Sequence, residues 1–188
     1  MSIRAILGLA CIAALVAAAP AAGANGKAAA YCKKQGGTVQ VRYPAYGTNT
    51  PETQIRLSGA VSFCKFRAQD GSRIYVDLAT LYTKQPTLAA VAYLTKPDVG
   101  EIPGNVNPAS VYCTRLGGTD LYGGVNAAGG GFVSRNDSDD PVVQACIFPD
   151  LSIIDSFGLF YNSDGAIRGK DLSTVLRYRP ANPPNIFG

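Results

Sequence analysis

The sequence has no histidine and no tryptophan, and its only methionine is the first residue. Without histidine there can be no Ser-His-Asp or Cys-His nucleophile, no HExxH zinc site, no Cys2His2 finger and no imidazole acid–base pair. Charge is sparse too, at 16% of 188 residues against 47% apolar, which is not the composition of a disordered chain. Beyond the N-terminus, no apolar run approaches the roughly 18 residues that cross a bilayer. The longest, Leu88 to Leu94, is far too short. The length suits one domain of ordinary size or two small ones.

What is present begins with an export signal. Arg4 supplies a positive start, Ile6 to Ala19 an apolar stretch, and Ala22-Gly23-Ala24 a small-residue cleavage site. Residues 1–24 therefore read as a signal peptide cut after Ala24. The mature chain is expected in the periplasm or secreted, with no transmembrane span. A lipoprotein reading would acylate Cys11, but the apolar run continues past it. Without the leader four cysteines remain: Cys32, Cys64, Cys113 and Cys146. An even count in an oxidising compartment points to disulfides.

The chain is written twice. Tyr31-Cys32 followed by Gly36-Gly37-Thr38 recurs as Tyr112-Cys113 followed by Gly117-Gly118-Thr119. Cys64-Lys65-Phe66 recurs as Cys146-Ile147-Phe148, each followed by an Asp and a Ser (Asp70 and Ser72, Asp150 and Ser152). Leu81-Tyr82 aligns with Phe160-Tyr161, and Lys96-Pro97 with Arg179-Pro180. A fixed period means repeated units, and one cysteine pair per unit favours Cys32–Cys64 and Cys113–Cys146. Units of this size need reinforcement beyond their cores. Closing a loop of about 32 residues is worth roughly 3–4 kcal/mol on the chain-entropy model. No CxxC lowers a thiol pKa, so the cysteines read as staples.

The expected organisation is a first unit over 27–97, a polar linker over 98–104, a second unit over 105–180 and a flexible tail over 181–188. Asn107-Pro108 opens a helix over Pro108 to Arg115 that Gly117-Gly118 stops. Unit one repeats it over Ala28 to Lys34. Val39, Val41 and Tyr43 alternate as a strand, and a long loop follows in each unit, Pro44 to Gly59 and Gly123 to Pro141. A second strand aligns Ala60, Ser62, Cys64 and Phe66 with Val142, Gln144, Cys146 and Phe148. Arg73 to Val76 forms a third strand after the Asp70-Gly71 turn. Asp77 and Asp155 cap closing helices. The fold class is α+β: two tandem small domains, each helix–antiparallel sheet–helix with one internal disulfide.

Asn107-Pro108-Ala109-Ser110-Val111-Tyr112-Cys113 with Gly117-Gly118, then Cys146-Ile147-Phe148-Pro149-Asp150-Leu151-Ser152, resembles a small bacterial exported domain of unknown function that commonly carries the label hemolysin. Unit two matches over nearly its whole length. Unit one keeps the Tyr-Cys, the glycine pair, Cys64-Lys65-Phe66 and Asp70-Gly71-Ser72. The resemblance implies an envelope or secreted module and no catalytic residues. Further cysteines common in that family are absent, with Ile74 and Ile154 near one of their places. Its closing acidic pair and Trp appear as Asp155-Ser156 and Phe157. No segment here is long or amphipathic enough for a pore.

Candidate sites are few. Asn136 to Asp140 gathers three carboxylates, but the glycine and terminal Glu of an EF-hand are missing, so it reads as a solvated turn. Asn162-Ser163-Asp164-Gly165 reads as a turn after a helix, and Asp70 and Asp150 as turn residues. Charge is unevenly placed. Residues 27–97 carry ten basic and three acidic side chains, whereas residues from 98 onward carry six and ten. Lys33, Lys34, Arg42, Lys65, Arg67 and Arg73 lie among aromatics and form a candidate anionic-ligand face. Its partner would be an anionic envelope component or another exported protein; an exported location argues against nucleic acid. Alternatively, the asymmetry is spent between the units. No cofactor and no enzymatic activity are expected. The leading reading is an exported binding module, with a protease-inhibitor-like protein presenting its variable loops and a membrane-active protein as alternatives.

Overall fold

The computed structural model describes residues 22–50, 52, 54–120, 128–134 and 140–187. Residues 1–21 of the expected leader, with Cys11, and residues 136–139 of the acidic loop lie outside the described residues. In chain order the first half gives α1 (Ala22–Lys34), β1 (Thr38–Tyr46), β2 (Ile55–Arg56), β3 (Val61–Arg67), β4 (Arg73–Asp77), α2 (Leu78–Tyr82) and α3 (Leu88–Thr95). The second half gives α4 (Pro108–Arg115), β5 (Thr119–Asp120), β6 (Gly130–Val133), β7 (Val142–Val143), β8 (Ala145–Ile147), β9 (Ile153–Asp155) and α5 (Ser156–Ser163), then a 3-10 turn, Leu172–Thr174.

Local chemistry sets the helix ends. The Asn107 side chain accepts from the N–H groups of Ala109 and Ser110, and Pro108 fills the first turn, where a missing N–H costs nothing. At the other end Gly36 and Gly117 take φ of +84° and +77°, open to glycine without strain. The second glycine of each pair has a different task. A Cβ on Gly37 would stand 2.9 Å from Cys32 Sγ and closer still to Cys64 Sγ; Gly118 meets Cys113 and Cys146 in the same way. One glycine turns the chain and the next makes room for the disulfide. The disulfides are Cys32–Cys64 and Cys113–Cys146, each tying an opening helix to a central strand of its own half.

The mixture of helix and antiparallel sheet is α+β, but the two halves share one sheet, ordered β5-β8-β9-β4-β3-β1-β6-β7 with β2 beside β1. The halves meet at β4 and β9, antiparallel, with Val76 opposite Ile154. Each of these residues directly precedes the aspartate that caps its closing helix, Asp77 for α2 and Asp155 for α5. Equivalent positions thus face each other, as in a symmetric dimer written into one chain. The following segments cross over reciprocally. Ala89 N–H donates to Ser152 Oγ at 3.0 Å, and Gly169 N–H to Ser72 Oγ at 3.0 Å. Tyr31 OH reaches Val175 O, and Tyr112 OH reaches Pro97 O. One apolar cluster joins Cys32, Cys64, Phe66 and Val76 to Tyr112, Cys146, Phe148 and Ile154.

Several local expectations shift. Tyr82 corresponds to Phe160, one residue away from the alignment read in the sequence, because each rings the tyrosine beside its own cysteine: Tyr31–Tyr82 at 5.6 Å and Tyr112–Phe160 at 6.1 Å. Segment 98–104 is strapped down, since Arg115 donates to the carbonyls of Val99 and Glu101. In the tail, Phe187 packs against Phe148. The run Leu88 to Leu94 becomes α3, capped by Thr87 and buried on most sides. Leu151 adopts φ +64° where its counterpart is Gly71 and remains 78% exposed.

Candidate functional site

The sheet face away from the helices carries the chemistry. β1 bends in mid-course: Thr38 to Arg42 pair with β3, and Tyr43 to Tyr46 pair with β6. The β6–β7 ribbon consequently folds over the face that bears Phe63, Tyr75 and Ile153, with Phe132 edge-on to Phe63 at 5.2 Å. Simple alternation along β1 assigns Val39, Val41 and Tyr43 to the interior. In the folded chain Arg42 is fully buried and Val41 is half exposed, because this second layer covers the face on which Arg42 stands.

A buried guanidinium must spend its donors. Arg42 donates Nε to Gln40 Oε1 (3.0 Å), Nη1 to the carbonyls of Asp140 (2.9 Å) and Phe132 (3.2 Å), and Nη2 to Tyr75 Oη (3.1 Å). Tyr75 OH passes the chain on to Asp140 Oδ2 at 2.6 Å. Lys65 Nζ lies 3.1 Å from the same oxygen, and Arg73 pairs with Asp140 Oδ1. Arg42 and Lys65 also stand over the Tyr75 ring at 4.8 and 5.5 Å. One residue of the second half, Asp140, therefore gathers three cations from the first: Lys65 and Arg73 on its carboxylate, and Arg42 through its carbonyl and Tyr75. Part of the charge asymmetry is spent inside the protein.

This divides the six basic residues read from the sequence. Arg42 is interior and Lys65 is buried with its ammonium on Asp140, so neither belongs to an open face. Lys33 and Lys34, in the last turn of α1, and Arg67 are exposed. Lys65 and Arg67 line a groove of about 260 Å³ with Gly36, Thr38 and Gln40. Gly36 closes the turn that carries Lys33 and Lys34. Arg73, its side chain 31% exposed, faces another cleft of about 200 Å³, formed with Tyr75, Asp140, Asp155, Phe157 and Arg168.

Asp70 and Asp150 behave as turn residues, whereas Asn162 and Ser163 fall within α5 and Asp140 is buried. Asp70 accepts from Ser72 N–H, and the Ser72 hydrogen bonds hold its carboxyl below the usual value. Asp150 accepts from Ser152 and also takes the N–H of Leu88 at the start of α3. Asn162 is a buried strut that donates to Tyr93 O. Gln144 links α4 to β5, donating to Ser110 Oγ and Asp120 Oδ2.

Asp155 is the exceptional acid. Burial pushes its carboxyl from 3.8 up to about 6, although Gly158 N–H donates to Oδ1. Burial likewise raises Asp77, whose carboxylate accepts from Thr80 and Ile153. The folded state thus holds the Asp155 proton more tightly than the unfolded chain. The stability so gained is present below pH 3.8 and is lost as pH rises through the window up to about 6. Keeping the ionised form costs roughly 2–3 kcal/mol above that window. Asp155→Asn keeps the cap and should raise stability at pH 8 by about 2 kcal/mol while flattening the profile between pH 4 and 6. Urea unfolding at several pH values measures this; an unstabilised variant at pH 8 would count against it.

None of Tyr75, Asp155 and Arg168 stood out as a site residue in the sequence, and Asp140 appeared only as the end of the acidic loop set aside as a solvated turn. The usable signal was the contrast between copies. Tyr75 and Lys65 have Ile153 and Ile147 at the matching places, so the polar set has no counterpart in the second half. Comparison with protein-family models, with curated proteins and with solved structures found no match.

Proposed function

We propose that the chain is an exported, non-enzymatic binding module that holds an anionic component of the cell envelope on the exposed basic surface of its first half. Two disulfides fit an exported protein. Among the described residues no helix is long and apolar enough to cross a membrane. The observation that carries the reading is the groove beside α1, where the exposed Arg67 and Gly36 share a lining and Gly36 closes the turn carrying Lys33 and Lys34. Lys170 donates to Gln35 O in the turn that follows Lys34. Cations gathered on one surface attract polyanions and anionic headgroups and lose that attraction to salt.

Binding to vesicles containing phosphatidylglycerol should therefore fall by about tenfold or more between low and physiological ionic strength. Lys33→Glu, Lys34→Glu and Arg67→Glu together should abolish it without moving the unfolding midpoint. Flat salt dependence, or equal binding to neutral vesicles, would refute the reading. Dye leakage from the same vesicles tests the membrane-active alternative, which requires it.

A protein partner is favoured by a separate observation. Tyr46, Ile55 and Leu57 are each about half exposed along β2 and its neighbour, in the long loop of the first half. An inhibitor-like protein would dock there, and tight complexes with a member of a protease panel would establish it.

A further inference from the structure

The cleft of about 200 Å³ between the halves has no part in the basic groove, and its chemistry is specific. Its charged lining is balanced: two guanidiniums, Arg73 and Arg168, and two carboxylates, Asp140 and Asp155. Asp140 is saturated, holding Tyr75, Lys65 and Arg73. Arg168 is not. Arg168 stacks over Tyr161 at 5.0 Å, and its Nε is buried with no hydrogen-bond partner. Asp155 is buried with Oδ1 committed to Gly158 N–H. A buried donor left without a partner is costly. Phe157, Val142 and Val143 supply an apolar wall beside them.

We infer that this cleft binds a small zwitterion, an α-amino acid with a short aliphatic side chain. The ligand carboxylate takes the Arg168 guanidinium, its ammonium takes Asp155, and its side chain rests on Phe157. A net-neutral ligand suits a lining whose formal charges cancel, whereas a simple carboxylate or amine would leave one unpaired charge in a desolvated site. The volume holds a solute displacing about six waters, at roughly 30 Å³ each.

Calorimetric titration of the oxidised full chain with alanine and valine, and with propionate and isobutylamine as half-ligands, tests this. Alanine or valine should bind at least about tenfold more tightly than either half-ligand. Arg168→Gln should weaken the amino acids by about tenfold or more. Asp155→Asn, which keeps the helix cap, should weaken the amino acids and leave propionate unchanged. The triple charge reversal at Lys33, Lys34 and Arg67 should leave amino-acid binding untouched, which separates this site from the envelope-binding surface. The inference is overturned if no amino acid binds at up to about 10 mM, a floor of roughly −3 kcal/mol. Propionate binding as tightly as alanine, or both single variants retaining full affinity, would overturn it as well.

Discussion

Asp140→Ala should destabilise the oxidised chain by about 3–5 kcal/mol, the usual cost of stranding buried charge. Asp140 is 7% exposed and is the acidic partner that the structure gives to Lys65 and Arg73. Its side chain also accepts from Tyr75, which in turn accepts from the buried Arg42. Removing the carboxylate leaves three cations close together in a region largely closed to water, where repulsion is weakly screened. Lys65→Met should cost less, because Arg73, Tyr75 and Asp140 remain matched without it. The ordering of the two variants carries the information: a buried pair adds little by being present and much by being broken. Urea unfolding followed by circular dichroism gives both values. A loss below about 1 kcal/mol for Asp140→Ala, typical of an exposed ion pair, would mean that the cluster is open to solvent.

The second large effect falls on a single methyl group. Gly118→Ala places a Cβ 2.9 Å from Cys113 Sγ and inside contact distance of Cys146 Sγ. Either the disulfide leaves its position or the turn after α4 opens. The cost is expected to approach that of losing the crosslink, about 3 kcal/mol for a loop of this length. Gly117→Ala is the control: nothing crowds its Cβ, and it meets only the strain of φ +77°, roughly 1 kcal/mol. Thiol titration with unfolding in the presence and absence of reductant distinguishes the outcomes. Gly118→Ala should behave in oxidant much as the parent does after reduction of Cys113–Cys146. Parental stability with both disulfides formed would contradict the packing described.

How far the sequence spoke depended on how local each feature is. Asn107-Pro108 and the glycine pair place α4 at Pro108–Arg115, because caps are decided by neighbours in the chain. Asp77 and Asp155 cap their helices as read, and the repeat picks the observed disulfide pairs, since it gives each half two matched cysteines. The meeting of β4 with β9 was not legible, because no local pattern names the partner of an edge strand. Arg42 was misplaced for the same reason. Alternation describes one sheet facing water, and here a second layer from residues more than 80 positions away covers the polar face. α3 was hidden because a segment buried on most sides has no amphipathic period. Asp140 looked like the end of a solvated acidic run, and only its contacts set it apart.

Two disulfide-stapled halves that share one sheet and one apolar cluster are expected to behave as one body. Native-state hydrogen exchange on the oxidised chain, read by mass spectrometry, tests it most directly. Peptides from β3 and β4 and from β8 and β9 should open with one common free energy, equal to that of global unfolding. If β8 and β9 exchange through a separate, lower-energy opening while β3 and β4 stay protected, the halves are independent domains, which contradicts a single cooperative body.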